Sequence, residues 1–302
     1  MLRRFPWIRS AILLLGSVAA ALADDVIVGV PQILGNTATV LPFMIQQARI
    51  HSMRYQQVYA ASAFAALVPT NFYVTRVFFH QDENADGAFC QSSNLEIRLS
   101  TTSKGPDALS AQFAENIGLD EMVVFATNNW FVIPNIGGAL HLTFPKPFVY
   151  RPANGNLLLE VRVATAGDPS PDQLALDAHN GPGDAISRAY APSADATQAT
   201  TMDTVGLGTA FQFSPLPSLQ IRVESVYGTN RPVVRWPAQP SVFVLQASPQ
   251  FGRPAVWQTI TSGIGGTPEG PDRWVYLAVQ PPGASMFYRL VWPSNVGLSA
   301  KP

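Results

Sequence analysis

The sequence predicts an all-β protein: a jelly-roll-like antiparallel β-sandwich with one short helix, followed by a smaller C-terminal all-β domain. Many short runs are rich in β-branched and aromatic residues and alternate apolar with polar positions, which is the period of a half-buried strand. The 26 prolines and 22 glycines are scattered between these runs, as expected of turns that join short strands. Helical spacing is clear in one stretch only, residues 103–118.

Composition and charge narrow the functional classes. The chain has 302 residues, of which 47% are apolar and 13% charged, so it has the apolar content of a globular protein. The formal net charge is −1, and no basic cluster suggests a nucleic-acid-binding surface. We therefore expect no nucleic-acid partner, and we expect partners among extracellular polysaccharides or cell-envelope components.

Residues 1–23 are predicted to be a secretory signal peptide that is cleaved after Ala23. Its positive start contains three arginines (Arg3, Arg4 and Arg9), and the apolar run that follows, residues 11–20, is too short to span a bilayer. Without this segment the chain has 16 basic and 20 acidic residues, a net charge of −4. No later stretch is apolar enough to cross a membrane. We expect a secreted or cell-surface protein with no transmembrane anchor in the mature chain.

Residues 72–102 are predicted to form the centre of the sandwich. Phe72–His80 has large apolar side chains on both faces of the predicted strand, which predicts a strand in the middle of a sheet. Residues 95–100 alternate apolar with polar side chains, so one face of that strand should lie in the core and the other in water. We expect the two strands to pair as a hairpin around an acidic turn.

The acidic turn contains a D-x-N-x-D-G pattern. Asp82, Asn84 and Asp86 present alternate oxygen side chains, and Gly87 permits a tight turn, as at the start of a calcium-binding loop. The twelfth loop position is Ser93 rather than Glu, and no helical pattern flanks the loop. A solvated hairpin turn uses the same residue types. A structural calcium ion and a plain turn therefore remain alternatives.

Cys90 is the only cysteine, so the chain cannot form an internal disulfide. No histidine or second cysteine stands close enough in the sequence to suggest an activated thiol. We expect Cys90 to pack as a small apolar residue, with an intermolecular disulfide or a reactive thiol as the alternative.

The first domain is predicted to cover residues 24–213. Residues 103–118 should form its helix, because three apolar residues recur at four-residue spacing (Leu109, Phe113 and Ile117). Asp107 can cap the start of this helix and Gly118 can end it. Further strands are predicted at residues 122–125, 140–144 and 157–163, and residues 167–201 should be a long loop region with one strand at 185–190.

Residues 127–131 form a polar run that ends in two aromatic residues, as in a binding loop. Trp130 and Phe131 are the candidates for ligand binding, since exposed aromatic rings can stack on sugar rings. The alternative is a turn that leads into a strand, because aromatic residues are common in strands.

The second domain is predicted to cover residues 219–302, after a Pro-rich linker at 214–218. Six short β-type runs separated by proline and glycine indicate a small all-β fold (219–226, 233–236, 242–246, 256–260, 274–279 and 286–290). We expect Trp236, Trp257 and Trp274 to lie in its core rather than in a site, because large aromatic side chains dominate the cores of small domains.

Several ordered motifs within residues 34–213 resemble a module of secreted bacterial proteins (residues 54–59, 99–102, 109–110, 113–118, 147–152, 155–160 and 206–213). Such modules occur in exosortase-sorted proteins of the PEP-CTERM type and in related exported proteins that lack the sorting tail. The resemblance implies an extracellular β-sandwich, and it implies no catalytic residues. Residues 297–302 do not match the sorting tail, so anchoring by that route is not expected.

A second resemblance concerns the C-terminal part of the chain. Residues 244–248, Trp257 and residues 287–290 are similar to a short C-terminal β-module of exported bacterial surface proteins. This similarity also implies a location outside the cell.

Catalytic motifs are not evident in the sequence. It contains no G-x-S-x-G, H-E-x-x-H, C-x-x-C or P-loop pattern. His80 beside Asp82 could contribute to a metal site, although metal-binding histidines usually occur in groups. His179 with Asp177 or Asp184 could form a catalytic pair, because triads are assembled in space rather than in sequence.

We expect a non-catalytic exported protein with a structural or adhesive role. The alternatives are a carbohydrate-binding protein, stabilised by calcium or not, and an unrecognised hydrolase.

Overall fold

The structure is a computed structural model. It describes residues 25–28, 35–65, 72–82, 90–132, 139–165, 175–215, 219–226, 229–237, 243–251, 256–266, 272–276 and 285–291. The predicted signal peptide, residues 1–23, lies outside this set. No helix among the described residues has the length and apolar character needed to cross a membrane.

Up to Pro215 the described chain is mostly strand, which confirms the all-β fold class. The strands are β1 (Asp25–Val28), β2 (Thr37–Thr39), β3 (Ser52–Tyr59), β4 (Phe72–His80), β5 (Cys90–Thr102), β6 (Met122–Val132), β7 (Ala139–Tyr150), β8 (Asn156–Ala164), β9 (Leu176–Asn180), β10 (Ile186–Ala191), β11 (Thr201–Asp203), β12 (Val205–Leu207) and β13 (Thr209–Pro215). Helical elements are one α-helix, α1 (Phe113–Asn116), and three 3-10 turns (Ile45–Ala48, Ala61–Phe64 and Pro152–Asn154).

Two antiparallel sheets pack as a sandwich. One has the order β1-β13-β4-β7, the other has the order β11-β10-β3-β8-β5-β6, and a small third sheet has the order β12-β9-β2. A single apolar cluster combines side chains from both main sheets, and the rings of Tyr59 (β3) and Phe211 (β13) meet across it at 5.0 Å. The core therefore lies between the four-stranded and the six-stranded sheet.

The period-two alternation explains why these strands form. In β8, Leu157, Leu159, Val161 and Val163 are at most 1% exposed and belong to the shared core. Burying each such side chain contributes about 1.5–3 kcal/mol, most of which the ordering entropy of the chain offsets. Leu95, Ile97 and Leu99 of β5 are likewise fully buried, as the sequence predicts.

The predicted hairpin of residues 72–102 is wrong. β4 is central in its sheet, as expected, but its neighbours are β13 and β7, whereas β5 pairs with β6 and β8 in the other sheet. The two strands thus lie in facing sheets. Alternation of apolar and polar residues shows which face of a strand is buried. It does not show whether the next strand in sequence pairs with that strand in one sheet or lies in the sheet on the other side of the core.

The predicted helix at residues 103–118 is limited to the four residues of α1. Asp107 does not cap a helix: it has a positive φ of 59°, and its Oδ2 atom accepts a 2.7 Å hydrogen bond from the backbone of Gly183. Phe113 instead packs with Ala189 and Ala191 of β10, and Leu109 packs beside it. The apolar residues therefore attach an irregular segment to the outer face of the six-stranded sheet.

Beyond Pro215 the described chain forms seven more strands, and a strand occurs at each of the six predicted runs. They are β14 (Gln220–Val226), β15 (Thr229–Pro237), β16 (Val244–Ser248), β17 (Gln258–Thr259), β18 (Ile264–Gly265), β19 (Asp272–Tyr276) and β20 (Phe287–Val291). They form two sheets, β14-β15-β19-β18 and β17-β16-β20. A separate apolar cluster contains Val234, Trp236, Leu245 and Val275.

The sheets before and after residue 216 share no strand among the described residues, while the predicted domain boundary itself stays a prediction. Ser214 and Pro215, which the sequence assigns to the linker, continue β13 beside β4. Residues 216–218 lie outside the described residues. Among the described residues, an aromatic contact joins the two parts, since the rings of Tyr73 and Phe243 are 5.8 Å apart.

Candidate functional site

The predicted calcium site lies only partly within the described chain. Asp82 follows β4, and its backbone donates a 3.0 Å hydrogen bond to the carbonyl oxygen of Ala175. Asn84 and Asp86 lie outside the described residues. Among the residues that are described, no three His, Cys, Asp or Glu side chains form a group that could hold a metal ion. Calcium binding therefore stays a prediction.

Trp130 is in the core, whereas the sequence singled it out as a surface residue for ligand binding. It is 9% exposed, and its ring lies 5.8 Å from that of Phe43. The preceding residue, Asn129, has a positive φ of 58°, so β6 is irregular at this point. A buried indole offers no free face to a ligand. The side chain of Phe131, like that of Cys90, lies outside what the structure describes.

Of the two histidine–aspartate pairs that the sequence allows near residue 179, the structure contains the one with Asp184. Nδ1 of His179 lies 2.6 Å from Oδ2 of Asp184, and Oδ1 of the same carboxylate accepts a 2.9 Å hydrogen bond from the backbone of Ile186. The hydrogen-bonded partner of His179 is thus Asp184 rather than Asp177, which lies on β9 and is 7% exposed. No serine or threonine hydroxyl within the described residues bonds to His179. The pair can orient an imidazole, but it is not accompanied by a nucleophile there.

A second polar group is buried on the outer face of the six-stranded sheet. Oε2 of Glu160 accepts hydrogen bonds from Arg54 at 2.8 Å and from Gln56 at 2.6 Å, and Oε1 accepts one from Arg162 at 2.7 Å. Asn116 of α1 donates to Gln56 at 2.8 Å. These groups bond to one another, so this network fastens the segment around α1 to the sheet.

Two small cavities lie near these polar groups. One, of about 170 Å³, is lined in part by Arg188 and Asp203, whose side chains pair at 2.8 and 3.1 Å. The other, of about 130 Å³, is lined in part by Asn94, Glu96 and Arg162. No aromatic residue is among the described lining residues of either cavity, and both cavities are smaller than typical sites for organic ligands.

A group of aromatic and hydrogen-bonding side chains lies on one face of the sheet β17-β16-β20. We call it the Trp257 face, and it consists of Gln246, Phe251, Trp257, Thr259, Phe287 and Arg289. Successive side chains of β20 alternate across this sheet: Tyr288 and Leu290 pack on the apolar cluster beneath, and Phe287 and Arg289 lie on the other side. The strand alternation therefore creates the face.

A ladder of side-chain contacts orders the centre of the Trp257 face. The guanidinium of Arg289 lies 4.2 Å from the centre of the Trp257 ring. It donates two hydrogen bonds, of 3.0 and 2.8 Å, to Oε1 of Gln246, whose amide nitrogen donates to Oγ1 of Thr259 at 3.1 Å. The guanidinium is thus held in one orientation before any ligand binds, which reduces the entropy cost of binding.

Two phenylalanines border this ladder. Phe251 and Phe287 have ring centres 5.3 Å apart, and Phe251 is 81% exposed. A contiguous group of apolar rings at the surface, rimmed by polar side chains, is typical of a binding surface, whereas a single exposed ring is not. Together with the ladder the two phenylalanines place apolar ring surface next to fixed hydrogen-bond donors, which is what a sugar ring requires, with its C–H faces and its hydroxyl groups.

The sequence did not identify this face, because Trp257 was expected to lie in the core. Of the three tryptophans that the sequence analysis assigns to the core, Trp236 is buried, at 2% exposure, while Trp257 and Trp274 are half-buried. A usable signal is the alternation in β20, where Phe287 and Arg289 share one face and Tyr288 and Leu290 share the other. A charged residue on the same face as an aromatic one indicates a solvent-facing surface.

Comparison of the chain with protein-family models, with curated proteins and with solved structures finds no match in any of the three.

Proposed function

We propose that this chain is an exported, non-catalytic adhesive protein of the cell surface or extracellular space, and that it binds polysaccharide through the Trp257 face. Export rests on the signal-peptide pattern of residues 1–23. The single observation that carries the binding role is the exposed ring of Phe251 against the half-buried ring of Phe287, beside the ordered Arg289–Gln246 ladder. Carbohydrate binding is thereby the means of adhesion.

The arrangement of the polar side chains supports a non-catalytic role. Glu160, the most buried of the described carboxylates at 2% exposure, accepts three hydrogen bonds from neighbouring side chains. A carboxylate used in this way is not available for acid–base chemistry with a substrate. His179 and Asp184 pair at the surface with no bonded hydroxyl among the described residues, so they support a hydrolase weakly.

The test is a binding assay with the chain from Asp24 to Pro302. Insoluble polysaccharides and bacterial envelope preparations are incubated with the protein, and the fraction that remains in solution is measured against concentration. We expect saturable binding to at least one polysaccharide. Phe251→Ser should weaken it by about fivefold or more, since exposed aromatic anchors carry much of a binding energy.

A matched control is available in the sandwich. Leu119 is fully exposed and lies outside the Trp257 face, so Leu119→Ser removes a comparable apolar side chain without touching the site. It should bind like the wild type. Equal losses in both variants, or no binding by a folded sample, would overturn the proposed function.

A further inference from the structure

We infer that the ligand of the Trp257 face is an acidic polysaccharide, one whose sugars carry carboxylate groups. This inference rests on the proposed function and specifies its ligand class. It starts from Arg289, the cation at the centre of the face. A stacked guanidinium in a fixed orientation can donate two parallel hydrogen bonds to one carboxylate, which a neutral sugar cannot match.

Among the described residues, no carboxylate pairs with Arg289. Within the described residues its contacts are the indole of Trp257 and the neutral amide of Gln246. Arg235 provides the contrast, because it also lies over a tryptophan, Trp274, at 5.2 Å but forms a bidentate pair with Glu224 at 2.6 and 3.1 Å. Among the described residues of this part, an arginine thus lies over a tryptophan at two places, and a carboxylate from those residues pairs with Arg235 only.

The surrounding sequence carries charge of the same sign. Residues 219–302 contain seven basic residues (arginine and lysine) and three acidic residues, which gives a formal charge of +4. Residues 24–218 contain nine basic and seventeen acidic residues, which gives a formal charge of −8. An anionic polymer is therefore attracted to the C-terminal part and repelled by the rest of the chain. Such asymmetry raises the local concentration of an anionic ligand at the Trp257 face.

The remaining side chains of the face favour a sugar acid over a simple anion. Phe251 and Phe287 add ring surface on one side of Arg289, and the hydroxyl of Thr259 lies on the other side of Gln246. One uronic acid residue can therefore place its carboxylate against Arg289, its C–H face against the phenylalanine rings and a hydroxyl group against Thr259. A carboxylate on a flexible peptide would use the cation and leave the rings unused.

The experiment compares matched polymers on the full chain from Asp24. Titrations use polygalacturonate, the same polymer after reduction of its carboxyl groups, and polyglutamate, each at low and at physiological salt. We expect polygalacturonate to bind at least about tenfold more tightly than the other two, with affinity falling as salt rises. Arg289→Gln should lower the affinity for polygalacturonate by about tenfold, the scale of a charge-assisted hydrogen-bonded pair.

Arg231→Gln is the charge-matched control, because Arg231 is exposed on β15, outside the Trp257 face. It should retain the wild-type affinity. Equal binding of the reduced, neutral polymer would overturn the acidic ligand while leaving polysaccharide binding in place. If polyglutamate bound as tightly as polygalacturonate, or if Arg231→Gln lost as much affinity as Arg289→Gln, the binding would be diffuse charge attraction, and the site would be overturned. Absence of binding to all three polymers would overturn the inference, and the wider polysaccharide panel then decides the proposed function separately.

Discussion

The guanidinium of Arg54 donates a 2.8 Å hydrogen bond to Oε2 of Glu160, and both side chains are buried on the outer face of a sheet rather than in the core. Phe113 covers the pair, since its ring lies 4.7 Å from the Arg54 guanidinium carbon. Each partner is bound in place: Arg54 also donates to the carbonyl oxygen of Ala196 at 2.9 Å. The pair thereby ties two loop segments to the six-stranded sheet.

Replacing Glu160 with glutamine should destabilise the protein by about 3–5 kcal/mol, because it leaves the buried charge of Arg54 without a counter-charge. Urea-induced unfolding measures this loss. Glu96→Gln is the matched control on the neighbouring strand β5, where Glu96 pairs with Arg98 at 2.7 Å and both are more than 20% exposed. That change should cost less than about 1 kcal/mol. A similar, small loss of stability in the two variants would contradict a stabilising role of the buried pair.

Two histidines on the outer face of the four-stranded sheet should make stability depend on pH. Burial lowers the pKa of His80, and the nearby charge of His141 lowers it further. Burial, followed by the charge of Arg76, also lowers the pKa of His141. The unfolded chain takes up these protons near pH 6.5, whereas the folded chain does so only at lower pH. The free energy of unfolding should therefore fall as the pH drops from about 6.5 through the folded-state pKa values.

Urea unfolding at a series of pH values between neutral and mildly acid measures this slope. His80→Gln should flatten it, because His80 contributes a buried Nε2 atom that has no hydrogen-bond partner among the described residues. His51→Gln alters an exposed histidine and should leave the slope in place. An unchanged slope in His80→Gln would contradict the assignment of the pH dependence to this residue.

Much of the fold could be predicted because strand alternation is a local signal. Residues 95–99 and 157–163 alternate clearly, and the structure places their apolar members in the core. Strand pairing could not be predicted in the same way: β4 and β5 are adjacent in sequence but lie in facing sheets. Pairing depends on long-range partners such as β13, which is more than a hundred residues away from β4.

The prediction of the helix and the prediction of the candidate site are limited in the same way, because both depend on packing between elements. The spacing of Leu109 and Phe113 fits a helix, yet a surface formed by β10 binds those side chains as an irregular segment. Trp130 and Trp257 both stand next to polar residues in sequence, but only the packed structure distinguishes the buried indole from the half-buried one. Composition identifies aromatic residues, whereas exposure depends on which elements cover them.

These two tryptophans should respond differently to truncation. Trp130→Ala should cost about 3–5 kcal/mol of stability, as expected for a large core side chain that contacts Phe43. Trp257→Ala should affect stability much less and should weaken polysaccharide binding, because its ring supports Arg289 at the surface. Unfolding and binding are measured on the same samples. A stable Trp130→Ala variant with impaired binding would reverse the two roles.

Calcium binding at Asp82 can be tested without the rest of the site. If the acidic turn holds calcium, saturating calcium should stabilise the wild type by about 2.7 kcal/mol at a hundredfold excess over the dissociation constant, since the ion binds only the folded chain. Asp82→Ala should abolish the rise in melting temperature that calcium produces, and it should match the wild type in chelator. Asp195→Ala is the control, because Asp195 is an exposed aspartate that is not part of the D-x-N-x-D-G pattern, and it should retain the calcium response. A wild-type melting temperature that is equal in calcium and in chelator would remove the ion and leave Asp82, Asn84 and Asp86 as members of a solvated turn.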